Sequence, residues 1–181
     1  MVWVDLRIDS QWSLYGQRID KSGKQMWPNN GVEICRATAI QGTPRVIKGG
    51  VVVVSQDDRD VFPDIYAQCI NADDTPQWKA NGIPICTAGG HQTRPMLQSG
   101  GNMEFFVAWV DYRQDYGIES KTDVYGQQLR SDGTALWEEN GIHLYTTVAN
   151  VPQVPMIVMG TPDVISLIWS DGQDVYMRRI P

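Results

Sequence analysis

Two hydrophobic patterns take turns along this chain. Unbroken apolar runs, "VVVVSQD" at 51–57 and "FFVAWVD" at 105–111, put apolar side chains on both parities, which a strand needs only when both its faces are covered. Each is followed by an alternating segment such as "DIYAQCI" at 64–70, the period of two that marks a strand. A tight turn and an Asn-Gly pair, at 30, 81 and 140, then lead into a short segment, "GVEIC", "GIPIC" or "GIHLY". A further strand, exemplified by "PRVIKGG", ends in a glycine turn ahead of the long run. No window carries a helical period. The pattern predicts an all-β protein built from four-stranded antiparallel units.

The units repeat. Tyr15, Tyr66, Tyr125 and Tyr176 fall in register, as do Gln17, Gln68 and Gln127, and then Trp27, Trp78 and Trp137. Upstream lies a W-x-D-x-R pattern, read as "WVDLR" at 3, "SQDDR" at 55, "WVDYR" at 109 and a truncated "WSDGQ" at 169. Trp27 and Trp78 are 51 residues apart and Trp78 and Trp137 are 59 apart, a spacing close to that of propeller blades. The expected architecture is a β-propeller-like array, one segment over 1–181. Its units span approximately 1–38 (partial), 39–88, 89–148 and 149–181 (partial), about three and a half blades in all. An array opening at a second strand and closing after a third is expected to be part of a larger propeller or to self-associate.

Charge narrows the partners. The 181 residues carry 15 Lys and Arg against 21 Asp and Glu, a net charge of −6 without a basic cluster, so nucleic acid is an unsuitable ligand. No apolar run is long enough for a membrane-spanning helix, and Asp5 and Asp9 interrupt the N-terminal segment where a signal peptide needs an apolar core. Any export signal is therefore expected outside this chain. Cys35, Cys69 and Cys86 form an odd set. Cys35 and Cys86 hold the same place in successive units, which suits small apolar side chains on a strand face better than a disulfide or metal site. With only His91 and His143 available, no metal site or cofactor is expected. The run "DDRDVFPD", with Asp57, Asp58, Asp60 and Asp64, lacks the spacing of a calcium loop and reads as a solvated acidic loop.

The order "P-x-I … V-x-W-x-D-x-R … D-I-Y-x-Q … D-G-x-x-x-W" resembles the repeats of sialidase-like (BNR or Asp-box) propellers, and more closely the Trp-rich repeats of large secreted and cell-surface bacterial proteins. Ser131, Asp132, Gly133, Thr134 and Trp137 approximate the Asp-box turn with altered spacing. That turn is structural in the family, so the resemblance implies a fold and an extracellular or cell-surface location but no catalysis. The terminal "RRIP", Arg178 to Pro181, echoes a sialidase signature but follows Tyr176 in repeat register, so it reads as strand. Arg7, Arg59 and Arg113 recur once per unit and read as structural ties to the Asp two residues earlier, not as a converging triad.

Function is sought in what the repeat leaves over. Six of seven tryptophans occupy repeat positions and Trp12 does not; Phe62, Tyr112 and Tyr116 are likewise unassigned. All four lie in or beside the loop joining second and third strands, which lengthens most in the third unit, with Glu119 and Lys121 at its edge. Trp12, Phe62, Tyr112, Tyr116, Glu119 and Lys121 are the candidate ligand-binding residues. They suit a glycan or protein ligand, while packing onto their own loops is the competing role. The expected function is a non-catalytic binding or adhesion module of an exported bacterial protein. The alternative is a fragment of a sialidase-like glycoside hydrolase, for which Glu104 and Glu119 are the uncommitted carboxylates.

Overall fold

The structure, a computed structural model, describes residues 1–7, 12–36, 41–46, 51–71, 73, 75–100, 104–113, 123–146, 156–160, 164–170 and 174–180. Among these residues are fourteen strands and no helix. Sheet I comprises β1 (Val2–Asp5), β2 (Ser13–Gly16) and β3 (Val32–Cys35). Sheet II comprises β4 (Gln41–Val46), β5 (Val51–Asp57), β6 (Asp64–Ile70) and β7 (Ile83–Cys86). Sheet III comprises β8 (Gln92–Ser99), β9 (Glu104–Asp111), β10 (Asp123–Arg130) and β11 (Ile142–Thr146). Sheet IV comprises β12 (Met156–Gly160), β13 (Val164–Ser170) and β14 (Val175–Ile180). Every sheet is an antiparallel meander of strands consecutive in the chain. The chain is all-β, with four small sheets of three, four, four and three strands.

The apolar runs explain how the sheets meet. Successive side chains of a strand point to opposite faces. On β5, Val53 joins Leu14, Trp27 and Ile34 of sheet I in one core cluster, while Val52 and Val54 turn the other way and join Val107 and Trp109 of sheet III. On β9, Phe106 and Ala108 face away from that cluster and pack with Ile157, Ile165 and Leu167 of sheet IV. These β5 and β9 side chains are all almost completely buried. The run in the sequence is thus two interleaved stripes, one for each neighbouring sheet.

Repeated polar residues close the first three units. The side-chain amide of Gln127 donates to the Glu138 carbonyl (2.8 Å) and accepts from the Trp137 backbone N–H (2.9 Å). Gln17 and Gln68 do the same with Pro28 and Trp27 and with Lys79 and Trp78. A buried amide is thereby satisfied at both ends and fixes the turn that carries each tryptophan. Those tryptophans lie between sheets: Trp27 in the sheet I–II core, Trp78 against the II–III core, and Trp137 edge-on to Phe106 at 5.3 Å. In the following bend Asn30, Asn81 and Asn140 and their glycines all have positive φ. Gly141 also has no room for a side chain, since a Cβ there would lie 2.5 Å from the Trp109 ring.

Sheet II departs from the pattern at one place. Ser55 stands where sheets I, III and IV carry Trp3, Trp109 and Trp169, and it lines a gap between sheets I and II with Leu14, Ile34, Cys35, Tyr66 and Gly82. Arg178 and Arg179 lie in β14, consistent with the strand reading of "RRIP".

Truncating Trp109 removes the largest buried side chain of the II–III junction. Trp109→Ala is expected to cost about 3–5 kcal/mol in a urea titration. Trp12, 41% exposed, should lose no more than about 0.5 kcal/mol on the same substitution. Equal losses would overturn this division of the aromatics.

Candidate functional site

One end of sheets I, II and III is built around the D-x-R pattern. Asp57 ends β5 and Asp111 ends β9, and both carboxylates are fully buried. Arg59 donates its backbone N–H (3.0 Å) and Nε (2.9 Å) to Asp57; Arg113 does so to Asp111 at 2.8 and 2.9 Å. The guanidinium then lies over the tyrosine of the next strand, Arg59 at 3.7 Å from Tyr66 and Arg113 at 3.8 Å from Tyr125. It also donates to the carbonyl of the Asn-Gly bend, Arg59 to Asn81 at 2.8 Å and Arg113 to Asn140 at 2.9 Å. Arg7 repeats the set with Asp5, Tyr15 and Asn30. Its guanidinium and the Trp3 indole hold the Asp5 carboxyl well below the usual range, at about 2. The three arginines therefore stand in three separate corners. They are structural ties, as their repetition suggested.

The corners also join neighbouring sheets. Arg113 reaches Cys86 Sγ of sheet II at 3.2 Å, and Arg59 reaches Cys35 Sγ of sheet I at 3.6 Å. The Asn140 side chain accepts the Thr87 backbone N–H (2.9 Å), and Asn81 accepts that of Arg36 (3.0 Å). All three cysteines are free thiols, and burial pushes that of Cys86 up to about 12.

Above the corners of sheets II and III, part of the expected aromatic set comes together. Phe62, 45% exposed, lies 4.9 Å from the ring of His91, and His91 meets Tyr112 edge-on at 6.4 Å. Three backbone segments hold them there. The Gln92 N–H donates to the Pro63 carbonyl (2.7 Å) and the Tyr112 N–H to the His91 carbonyl (2.9 Å). The β7–β8 connection thus lies with both loops at this end. Gly90 passes so close to Tyr112 that a Cβ would lie 2.8 Å from its carbonyl oxygen. His91 was weighed in the sequence only as a metal ligand; its place after the Gly89-Gly90 turn is the signal that it is displayed here.

Trp12 is exposed beside sheet I and shares no ring contact with this group among the described residues. Tyr116, Glu119 and Lys121 lie outside the described residues. Glu104 sits at the far end of β9 and accepts a hydrogen bond from Gln128 Nε2. The acidic run differs from the expected solvated loop, because Asp57 is fully buried and Asp64 is 5% exposed. Antiparallel pairing sets these two carboxyls on directly opposed residues. Burial, with the Asp60 and Asp57 charges beside it, pushes the Asp64 carboxyl up to about 7. Among the described residues, no group of three or more His, Cys, Asp or Glu is arranged to hold a metal ion.

Set against known proteins, the chain matches no family model, no curated protein and no solved structure.

Folded Asp64 keeps its proton up to about pH 7, whereas an unshifted carboxyl releases it near 3.8. Between these values the folded state binds the extra proton, so this group's contribution to stability is full at low pH and lost as pH rises. Asp64→Asn removes that loss. The variant is expected to melt higher than the parent above pH 7, with the difference vanishing near pH 4; a constant offset across the range would discount the shift.

Proposed function

We propose that the four sheets are blades of a propeller-like array and that the chain is a non-catalytic binding module for a glycan. The carrying observation is the Phe62–His91–Tyr112 group, with Phe62 and His91 exposed and Tyr112 half-buried, assembled from two sheets and the connection between them. Flat rings on a shallow surface suit the apolar faces of an extended sugar chain, and the polar groups of Asp58 and Asp60 in the same loop suit its hydroxyls. The blade reading is supported by face-to-face packing of consecutive sheets through residues at repeated positions. An extracellular or cell-surface setting on a bacterium follows from the repeat resemblance alone.

The competing hydrolase reading draws on Asp64, whose raised pKa suits a general acid. Against that role, the equivalent β10 position is Asp123, held by Thr146 Oγ1 at 2.6 Å, so an acid recurs here as part of the sheet. Asp57, directly opposite it on β5, is committed to Arg59.

A glycan array probed with the wild-type chain and with Phe62→Ala/Tyr112→Ala tests the assignment. Binding should fall by about tenfold or more in the double variant, on the scale of losing two aromatic contacts, with the circular dichroism spectrum unchanged. Undiminished binding in the folded variant would overturn the site, and wild-type turnover of simple glycosides would favour the hydrolase.

A further inference from the structure

Among the described residues, five of the thirteen exposed large hydrophobic side chains belong to sheet IV, so its exposure is not the scatter of an ordinary surface. Ile157 and Leu167 point into the core shared with sheet III. The opposite face carries the row Met156, Ile168 and Met177, directly paired across three strands, with Val158 and Val175 beside it. Met156 and Met177 are each 64% exposed and Val175 is 76% exposed.

Repeat register says what such a face receives. Ile168, Val175 and Met177 hold the positions that Val54, Ile65 and Ala67 hold in sheet II. Those three are at most 2% exposed because Trp109 and Tyr125 of sheet III pack on them. Sheet I carries the matching half on the face turned away from sheet II, where Trp3 and Tyr15 occupy the positions of Trp109 and Tyr125. Arg7 lies over Tyr15 as Arg113 lies over Tyr125. One chain thus presents both sides of the junction it uses internally, at opposite ends of its stack.

We propose that the outer face of sheet IV docks on the outer face of sheet I of a second copy of this chain, repeating the junction between sheets II and III. The two patches differ, so the contact is head-to-tail, and two copies that meet at both ends form a closed pair.

The test uses Val175→Lys/Met177→Lys, placed on side chains already in solvent so that folding is untouched, followed by sedimentation velocity at submillimolar concentration. Wild-type chain is expected to self-associate, and the variant to do so at least about tenfold more weakly. Labelled variant should still bind wild-type chain, because its sheet I face is intact. A wild-type chain that stays monomeric overturns the proposal. So does a variant that associates as well as wild type, and so does one that fails to bind wild type, the outcome expected if two sheet IV faces pair with each other.

Discussion

No sheet in this protein owns a complete core. A three- or four-stranded meander has two faces, and the interior strands here are apolar on both, so each sheet depends on its neighbours to remove that surface from water. Val53 and Val54 are adjacent residues with different allegiances, one to sheet I and one to sheet III. Stability is consequently a property of junctions. The largest fully buried side chain among the described residues, Trp109, projects from β9 into the junction with sheet II.

Polar repeats answer the need to hold that stacking in register. Apolar contact between flat faces permits sliding, whereas hydrogen bonds do not. The Asn-Gly bend serves twice, since its backbone takes the arginine of its own sheet and its asparagine side chain takes an N–H from the sheet before. The arginine likewise touches an aspartate, a tyrosine, a carbonyl and a neighbouring thiol. Burying Asp111 is tolerable only because this partner set meets its charge and lone pairs.

The repeat was legible because it obeys simple periods. Two-residue alternation located the strands, the apolar runs marked those covered on both faces, and recurring Asp-x-Arg announced ties that the structure displays. Less could be read where a residue has an obvious local reason to exist. Asn81 was accounted for by the Asn-Gly bend it opens, which hid its bond to Arg36. The acidic run looked solvated because charge density is visible in sequence, whereas the burial of Asp57 by Arg59 and strand pairing is tertiary. His91 joins Phe62 and Tyr112 through connections between sheets, which no local pattern specifies.

Ser55 sets the three internal junctions apart. Its small side chain leaves the contact between sheets I and II without the indole that fills the II–III contact, and a gap takes its place. Loss of packing at one plane lowers the work of separating what lies on either side. The I–II junction therefore differs in packing from the II–III junction, a difference that protection of the β1–β3 amides against solvent exchange would read. A chain made from copies of one motif thus acquires a junction unlike its others from a single residue that was not copied.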